Sequence, residues 1–505
     1  MKNLGESVIA VLDIGKTNKK IFVYDENLKI LDFATTRFTE IHDAEGFCHD
    51  DVAGLELWFL EQLKIFTQRY TIRAISISAH GATWTALDQH GNLAFPEFSY
   101  TSEPGNAFHD EFYAKFGQPD ILQQETCTAP LGNLLNIGKA LYFMRGKYPQ
   151  EFKNFAHLCT YNIHFGHLLT GQTGVESTYL GCHSYLWNFE KNDWSSLVDA
   201  LNIRHILPKK VSHSWDVLGH VSPEMAKKTG LSTECIVTMG IHDSNAALLP
   251  YTVAMGEKFL LNTTGTWCVV MHEEKHATFA KDELGKTVFF NLNAFGHPVK
   301  TTLFLGGLEY QKVLETICKA NGLKNFDLDF NAELCSEIFK AQKLFILPTV
   351  QKGSGQFPNA TARVVEDGVS YLFEDIAQGK TLPPSFKNPE RALIALIASL
   401  VIQTKICFDR SGMRDKLPVF TEGGFRKNTT YNALLSSLYP HSEFYLSGMA
   451  EASAFGAAIL GKAALAKVTP MELKSFVTID KVAVPKAKIS GFGEYMKTWL
   501  GTMAE

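Results

Sequence analysis

One pattern occurs twice in this chain and restricts its fold more than any other feature. Two strand-forming segments are joined by a short polar turn rich in glycine or threonine. The first pair covers residues 8–12 and 21–24, and the second covers residues 258–261 and 267–271. A third strand is predicted at residues 28–31, and a helical pattern over residues 54–69 then precedes another strand at residues 74–78. Alternation of this kind indicates an α/β chain. A divergent internal duplication would explain the recurrence.

The length of the chain implies more than one domain. A single hydrophobic core stops growing near about 250–300 residues, and this chain has 505. We therefore predict two large domains, residues 1–250 and 251–470, with the boundary at Leu249-Pro250-Tyr251. Residues 471–505 are predicted to form a peripheral C-terminal segment.

The composition excludes several classes of protein. Apolar residues make up 45% and charged residues 20% of the chain, which is the balance of a folded domain rather than of a disordered chain or a coiled coil. The net charge of −5 provides no basic excess for an extended nucleic-acid groove. Small phosphorylated ligands remain open, because a few backbone amides suffice to bind them.

The cysteines and the N-terminal segment bear on the cellular compartment. None of the nine cysteines lies within four residues of another, so the chain has no CxxC pair for zinc or redox chemistry. The apolar run at residues 8–12 is too short for the core of a signal peptide. No run approaches the ~20 apolar residues of a membrane span. We predict a cytoplasmic protein with reduced thiols that contacts neither membrane nor nucleic acid.

The first turn, Gly15-Lys16-Thr17, has the letters of a P-loop but not its context. A P-loop requires a glycine five residues before the first glycine of this tripeptide, and residue 10 is alanine. It also requires a helix after the threonine, whereas strand formers follow at residues 21–24. The P-loop interpretation is therefore rejected.

A tight turn can still bind phosphate, because its successive backbone N–H groups point into one concavity. Asp13, just before the first turn, can hold Mg²⁺ through water. An ordinary polar hairpin is the alternative interpretation of both turns. The anion contacts are predicted for Gly15, Thr17, Asn18, Thr264, Gly265 and Thr266.

Asp243 is the candidate general base. It follows a short strand and precedes a helix of small residues, so its side chain is expected to face a cleft. A carboxylate there can orient a hydroxyl group and accept its proton. The alternative is an ordinary helix N-cap. His242 beside it would bind a neighbouring hydroxyl group or be a buried core histidine, and His80 ends a strand as the residues of a ligand loop do.

A second pair of glycines, Gly423-Gly424, allows the backbone to approach a flat or charged ligand closely. The helix that follows has an apolar face and therefore packs on a core. Asn428 either caps this helix or contacts the ligand.

Five motifs in this order resemble those of the FGGY carbohydrate kinases, which belong to the actin-like ATPase superfamily. They are Asp13-Ile-Gly-Lys-Thr17, Gly240-Ile-His-Asp243, Thr264-Gly-Thr-Trp267, Glu422-Gly-Gly-Phe-Arg-Lys-Asn428 and Glu451-Ala-Ser-Ala-Phe-Gly-Ala-Ala458. The resemblance implies two ribonuclease-H-like domains with a cleft between them. It also implies transfer of the γ-phosphoryl group of ATP to a sugar hydroxyl with Mg²⁺, with the sugar mainly on the first domain and ATP mainly on the second.

The same resemblance assigns roles to residues. Asp243 would be the catalytic residue, and Asp13 and Asp243 would serve the Mg²⁺ ion. The sugar would contact His80, Gly81, His242 and Asp243. ATP would contact Gly15, Thr17, Asn18, Thr264, Gly265, Thr266, Gly423, Gly424 and Asn428. The last of the five motifs would form a helix that closes the second domain.

The segment around Asp243 and Thr264 resembles most the rhamnulokinase and fuculokinase branch, which implies a 6-deoxy ketohexose such as L-rhamnulose or L-fuculose. Two departures leave other substrates open. The segment Phe98-Ser-Tyr-Thr-Ser-Glu103 lacks the Asp and Arg that many members have, with Glu103 as the nearest substitute, and residues 300–306 lack an expected Asn. Lys16 would add a cation near the phosphates or be solvated.

Several alternatives therefore remain from the sequence. One is a kinase for another ketose or polyol, of the xylulose, ribulose or glycerol type. Another is a non-enzymatic, nucleotide-switched protein of the same fold. A homodimer also stays open.

Overall fold

The computed structural model describes residues 7–131, 134–256, 258–351, 355–414, 416–449 and 451–504. Within these residues the chain builds two seven-stranded sheets, one in each half, with helices packed against them. This arrangement confirms the predicted α/β fold with two sheet-containing domains.

The first half contains the elements β1 to β13 and α1 to α10. They are β1 (Ser7–Ile14), β2 (Lys19–Tyr24), β3 (Ile30–Thr36), β4 (Ile41–His42), β5 (Cys48–His49), α1 (Val52–Thr67), β6 (Thr71–Ala79), β7 (Trp84–Leu87), α2 (Asn106–Phe116), α3 (Pro119–Thr126), α4 (Ile137–Lys147), α5 (Pro149–Phe152), β8 (His157–Thr160), α6 (Tyr161–Thr170), α7 (Ser177–Leu180), β9 (Trp187–Asn188), β10 (Asp193–Trp194), α8 (Ser196–Ala200), β11 (Val217–His220), α9 (Pro223–Thr229), β12 (Ile236–Thr238), β13 (Ile241–His242) and α10 (Asp243–Met255).

The first sheet has the strand order β11-β12-β6-β1-β2-β3, and β13 also pairs with β6. Strands β1, β2 and β3 are antiparallel, whereas β6 runs parallel to β1. Successive side chains of a strand point to opposite faces of its sheet, and both faces of β1 are covered by apolar side chains. Leu12 packs on the side of α1 and α6, and Val11 packs on the opposite side. The continuous apolar run that predicted this strand reflects that double burial.

The second half contains the elements β14 to β23 and α11 to α17. They are β14 (Leu260–Thr264), β15 (Cys268–Glu273), β16 (Val288–Leu292), β17 (Pro298–Phe304), α11 (Gly306–Ala320), α12 (Ala332–Ala341), β18 (Leu344–Leu347), β19 (Arg363–Glu366), β20 (Val369–Leu372), α13 (Phe373–Ala377), α14 (Pro389–Arg410), β21 (Val419–Gly423), α15 (Thr429–Ser437), β22 (Phe444–Ser447), α16 (Ala452–Ala466), β23 (Lys481–Ala483) and α17 (Phe492–Ala504).

The second sheet repeats the plan of the first. Its strand order is β16-β17-β15-β14-β21-β22-β23. Strands β14, β15 and β17 are antiparallel, and β21 runs parallel to β14. The β14–β15 turn therefore occupies the position in the second sheet that the β1–β2 turn occupies in the first, as the recurrent hairpin predicted.

Helices α10 and α16 lie between the two sheets. Leu249 of α10 packs in the core of the first sheet, whereas Leu248 and Tyr251 pack in a core of the second. The predicted boundary at residue 250 thus falls inside a helix that both domains share.

Helix α16 was expected to close the second domain but packs on the first sheet and on α10. Its small residues permit this contact: a Cβ atom on Gly456 would lie 1.9 Å from the backbone oxygen of Ala246. A stripe of small residues predicts close packing but does not identify the partner, which explains the difference.

The C-terminal segment is not wholly peripheral. In α17 the side chains of Phe492, Tyr495 and Trp499 are buried, and the Trp499 Nε1–H group donates to the backbone oxygen of Ile346 at 2.9 Å. Their spacing of three and four residues forms one apolar helix face. Residues 471–505, expected at the periphery, therefore contribute to the core of the second domain.

Helix α14 has the length and hydropathy of a membrane span, which the sequence analysis did not expect of any segment. Of its most apolar 18-residue window, 83% is buried inside the protein. It is therefore the central core helix of the second domain, packed against α11, α15 and β18. All nine cysteines are free thiols, and all except Cys48 are buried.

Candidate active site

A cavity of about 530 Å³ lies between the two sheets, at the ends of β1, β14 and β21. Asp13, Thr264, Gly265 and Gly423 line it, each from the end of one of these strands or the turn that follows. Asp243 lines it from the start of α10. The structure therefore brings together the ends of both predicted hairpins and the predicted base.

Six predicted nucleotide contacts lie outside the lining of this cavity in the described structure. They are Gly15, Thr17, Asn18, Thr266, Gly424 and Asn428. Two of them have local roles: the Asn18 side chain accepts a hydrogen bond from Arg37 Nε at 2.8 Å, and Asn428 caps α15 by accepting from Tyr431 N at 2.8 Å. Capping is thus the role of Asn428 that the structure shows. The other contacts remain predictions.

Asp13 is buried at the bottom of this cleft, where Ser453 Oγ donates to its Oδ2 at 2.9 Å. Burial, together with the negative charge of Asp243, raises the pKa of Asp13 to about 6, against the opposing effect of the Ser78 and Ser453 hydroxyl groups. Two carboxylates facing one cavity suit a divalent cation. Mg²⁺ is commonly held by one or two carboxylates together with substrate phosphates, so Asp13 and Asp243 fit that ion. No cluster of three or more ligating side chains occurs among the described residues.

A second cavity, of about 320 Å³, lies mainly on the first domain. All four predicted sugar contacts, His80, Gly81, His242 and Asp243, line it. The two cavities share four lining residues: Asp243, Ser244, Trp267 and Val269. A ligand in either cavity therefore has access to Asp243.

Asp243 is the first residue of α10, and its side chain is 29% exposed. Its Oδ1 accepts from Ser244 N at 2.6 Å and faces His242 Nε2 at 3.3 Å. Its Oδ2 has no hydrogen bond within the described residues. His242, not Asp243, occupies the N-cap position, so the geometry leaves one carboxylate oxygen directed to other partners.

His242 is buried and held in one orientation. Asn245 Nδ2 donates to its Nδ1 at 3.0 Å, and burial lowers its pKa, so the neutral ring carries its proton on Nε2 toward Asp243. Gly81 packs directly against this ring, because a Cβ atom at residue 81 would lie 2.6 Å from His242 Nε2. The sequence left open whether His242 is a buried histidine or a residue that faces a ligand. The structure shows that its side chain is buried and also forms part of the cavity wall.

Lys16 adopts neither of the two predicted roles. It lines the second cavity and not the first, and its Nζ pairs with Asp50 at 2.9 Å and Glu40 at 2.8 Å. Ser99 Oγ accepts a further hydrogen bond from Nζ at 3.0 Å. Asp50 also faces His80 Nε2 at 3.4 Å. Burial opposes ionisation of Asp50, but His80 and Lys16 outweigh it and hold its pKa below the usual range.

Two segments depart from the family pattern, residues 98–103 and residues 300–306, and both contribute to the wall of the second cavity. Tyr100 lines this cavity, whereas Glu103 does not; the Glu103 Oε1 accepts from Gly105 N and faces His109 Nε2. Thr301 lines it from β17, and Asn291 from the neighbouring strand β16 donates to Thr301 Oγ1 at 3.3 Å. An asparagine is therefore present, supplied by a strand pairing that the sequence does not reveal.

Other lining residues of the second cavity were missed as well, namely Asn136, Lys139, Cys182 and His183. No local pattern distinguishes them from core or loop residues. Trp84, four residues after His80, does not line this cavity and is buried in the core beside Phe155.

Comparison with known families and proteins gives a consistent result. Residues 8–250 match the FGGY family of carbohydrate kinases, N-terminal domain, and residues 256–470 match carbohydrate kinase FGGY, C-terminal domain. The L-fuculokinase of Salmonella typhi is 24% identical over 282 residues, which are 53% of this chain and 56% of that protein. The chain thus spans about half the length of that curated relative.

Solved structures show the same fold over nearly the whole chain. A carbohydrate kinase from Novosphingobium aromaticivorans superposes with a TM-score of 0.80 at 22% identity, covering 99% of both chains. Plasmodium falciparum glycerol kinase with ADP superposes with a TM-score of 0.76 at 17% identity, covering 99% of this chain and 98% of that one.

Proposed function

Because this chain belongs to the FGGY family of carbohydrate kinases, we propose that it transfers the γ-phosphoryl group of ATP to a hydroxyl group of a ketose. The observation that carries the proposal is the wall shared by the two cavities. Asp243, Ser244, Trp267 and Val269 line both of them. A sugar in the second cavity and a nucleotide in the cleft would meet at Asp243, where a hydroxyl group must be activated.

Asp243 is the proposed base. A sugar hydroxyl is a weak nucleophile, and a carboxylate within ~3 Å orients it and accepts its proton as the new P–O bond forms. Ser244 and His242 hold one oxygen of Asp243, which leaves Oδ2 for the substrate. His242 Nε2 contributes by fixing the carboxylate rather than by taking the proton.

The nucleotide is proposed to lie in the cleft, with its phosphates near Thr264, Gly265 and Gly423. Asp13 and Asp243 would hold the Mg²⁺ ion, which supplies positive charge to the phosphate oxygens when bound. The two domains would close over both substrates and exclude water, which limits wasteful ATP hydrolysis.

A 6-deoxy ketohexose, such as L-fuculose phosphorylated by a fuculokinase or L-rhamnulose, is the substrate we propose first. Its terminal methyl group suits the apolar part of the second cavity, formed by Leu131, Leu134, Phe289 and Leu303. The L-fuculokinase relative supports the same choice. Another ketose or a polyol is the second candidate, because glycerol kinase shares the fold.

An ADP-release assay with Mg-ATP tests the proposal. The panel contains L-fuculose, L-rhamnulose, xylulose, ribulose and glycerol, and the blank contains no sugar. We expect one of the two 6-deoxy ketoses to give the largest rate above the blank. If every compound leaves the rate at the blank, the kinase proposal is wrong; if only a polyol or pentulose responds, the proposed substrate is wrong and the kinase remains.

A further inference from the structure

Lys139 is an unusual residue in the wall of the second cavity. It is the third residue of α4, its side chain is 1% exposed, and it lines the cavity. Within the described residues its Nζ makes no hydrogen bond and no ion pair; it lies over the ring of Tyr113, whose centroid is 4.7 Å away. Lys16, the other lysine of this cavity, is instead paired with two carboxylates.

The position of Lys139 is energetically unfavourable in the free protein. A buried ammonium group loses its hydration and normally requires a paired anion. In the first turn of a helix it also faces the positive end of the helix dipole. Burial accordingly lowers the pKa of Lys139 to about 8, and the negative charge of Glu103 acts in the opposite direction without outweighing it.

The backbone around Lys139 is firmly fixed. Asn136 caps α4 by accepting a hydrogen bond from Lys139 N at 3.0 Å, and Gly138 N donates to the Ser184 backbone oxygen at 2.9 Å. Asn136 lines the same cavity. The amine is therefore presented from a rigid helix start, as a preorganised ligand contact requires.

We propose that Lys139 is a substrate-binding residue that determines specificity, and that its Nζ donates hydrogen bonds to an oxygen of the sugar in the second cavity. This inference rests on the proposed kinase function and adds a contact to it. The hydroxyl and carbonyl oxygens of a sugar can accept the hydrogen bonds of the Lys139 amine, for which the described residues provide no acceptor. A sugar lacking that oxygen would leave the buried amine unpaired, and such sites discriminate strongly against the deficient analogue.

The test compares Lys139→Met, which keeps the length and apolar stem of the side chain, with the wild-type enzyme. We expect the KM for the sugar to rise about 10- to 100-fold, the range for a hydrogen bond to a charged group, while the KM for ATP stays within about twofold. Lys147→Met is the matched control, because Lys147 is an exposed lysine at the other end of α4; its kinetics should equal the wild type.

Two further readouts separate substrate binding from a structural role through Tyr113. The thermal midpoint of sugar-free Lys139→Met should equal or exceed that of the wild type, because an unpaired buried charge has been removed. With a series of deoxy analogues of the sugar, the KM ratio of variant to wild type should fall to about one for the single analogue that lacks the oxygen bound by Lys139.

An unchanged sugar KM in a folded Lys139→Met variant overturns this inference alone, provided that the wild type shows sugar-dependent ADP release. A lowered thermal midpoint with an equal KM ratio for every analogue assigns a structural role instead and overturns it too. A wild type whose ADP release ignores sugar overturns the proposed function, and this inference with it.

Discussion

Asp13 shows how its neighbours change the behaviour of a single carboxyl group. The sequence placed Asp13 correctly before the first turn. It did not predict that Asp13 is buried, that it accepts a hydrogen bond from Ser453, or that it shares a cavity with Asp243. Lys16 is a similar case. Its place in the turn predicted a contact with phosphate or an amine exposed to solvent. Its amine instead pairs with Asp50, 34 positions away, and lines the second cavity. Such long-range partners leave no trace in local sequence.

Asp13→Asn should stabilise the metal-free protein above pH 6. The unfolded chain ionises Asp13 near its ordinary pKa of 3.8, whereas the folded protein keeps the proton up to about pH 6. The unfolded state therefore binds fewer protons between these values, and wild-type stability falls as the pH rises through them. Above pH 6 the full penalty applies, which is about 3 kcal/mol for a pKa that rises from 3.8 to about 6.

Urea unfolding without Mg²⁺ at pH 4 and pH 7.5 measures this effect. The free energy of unfolding of Asp13→Asn should exceed that of the wild type at pH 7.5, and the difference should be largely absent at pH 4. Asp329→Asn, at an exposed residue, is the control and should leave the free energy of unfolding unchanged at both pH values. An equal gain at both pH values would show that ionisation of Asp13 is not the cause.

At the scale of secondary structure, α10 and α16 connect the chemistry to the fold. Helix α10 begins at Asp243 and packs on both sheets, and α16 carries Ser453 to Asp13. The sequence predicted both helices from their small-residue and apolar patterns. It did not predict that they cross each other, because small side chains permit close contact with any suitable partner.

Gly456→Ala should separate α10 from α16. The new Cβ atom would lie 1.9 Å from the backbone oxygen of Ala246, and backbone cannot move aside as a flexible side chain does. We expect the free energy of unfolding to fall by about 1–3 kcal/mol or more, and kcat/KM to fall with it, because both helices position carboxylates of the cleft.

Gly501→Ala is the matched control, since Gly501 is also a helical glycine but a Cβ atom there would meet nothing within 4 Å. That variant should gain up to about 1 kcal/mol from helix propensity. Chemical unfolding and steady-state kinetics of both variants check the expectation. Equal stability of the two variants would mean that the α10–α16 contact tolerates a methyl group.

At the scale of the whole molecule, two sheets of one plan place their hairpin turns at a common cleft. The repeated hairpin was visible in the sequence, and together with the chain length and the family resemblance it agreed with the two sheet-containing α/β domains found. The composition of the second cavity was only partly predictable. His80, Gly81 and His242 lie beside recognisable motifs, whereas Asn291 and Thr301 reach it from the second domain. That contribution depends on how the domains meet, which no single segment encodes.

The central claim is that the cleft and the second cavity meet at Asp243 so that a phosphoryl group passes directly from nucleotide to sugar. The most direct measurement follows the γ-phosphate label of Mg-ATP over a single turnover, with the best ketose of the panel, in the wild type and in Asp243→Asn. The account predicts that the wild type transfers the label to the sugar, and that Asp243→Asn still binds both substrates but transfers it at least ~10²-fold more slowly. Label released only as inorganic phosphate, with or without sugar, or transferred by Asp243→Asn at a near-normal rate, would contradict it.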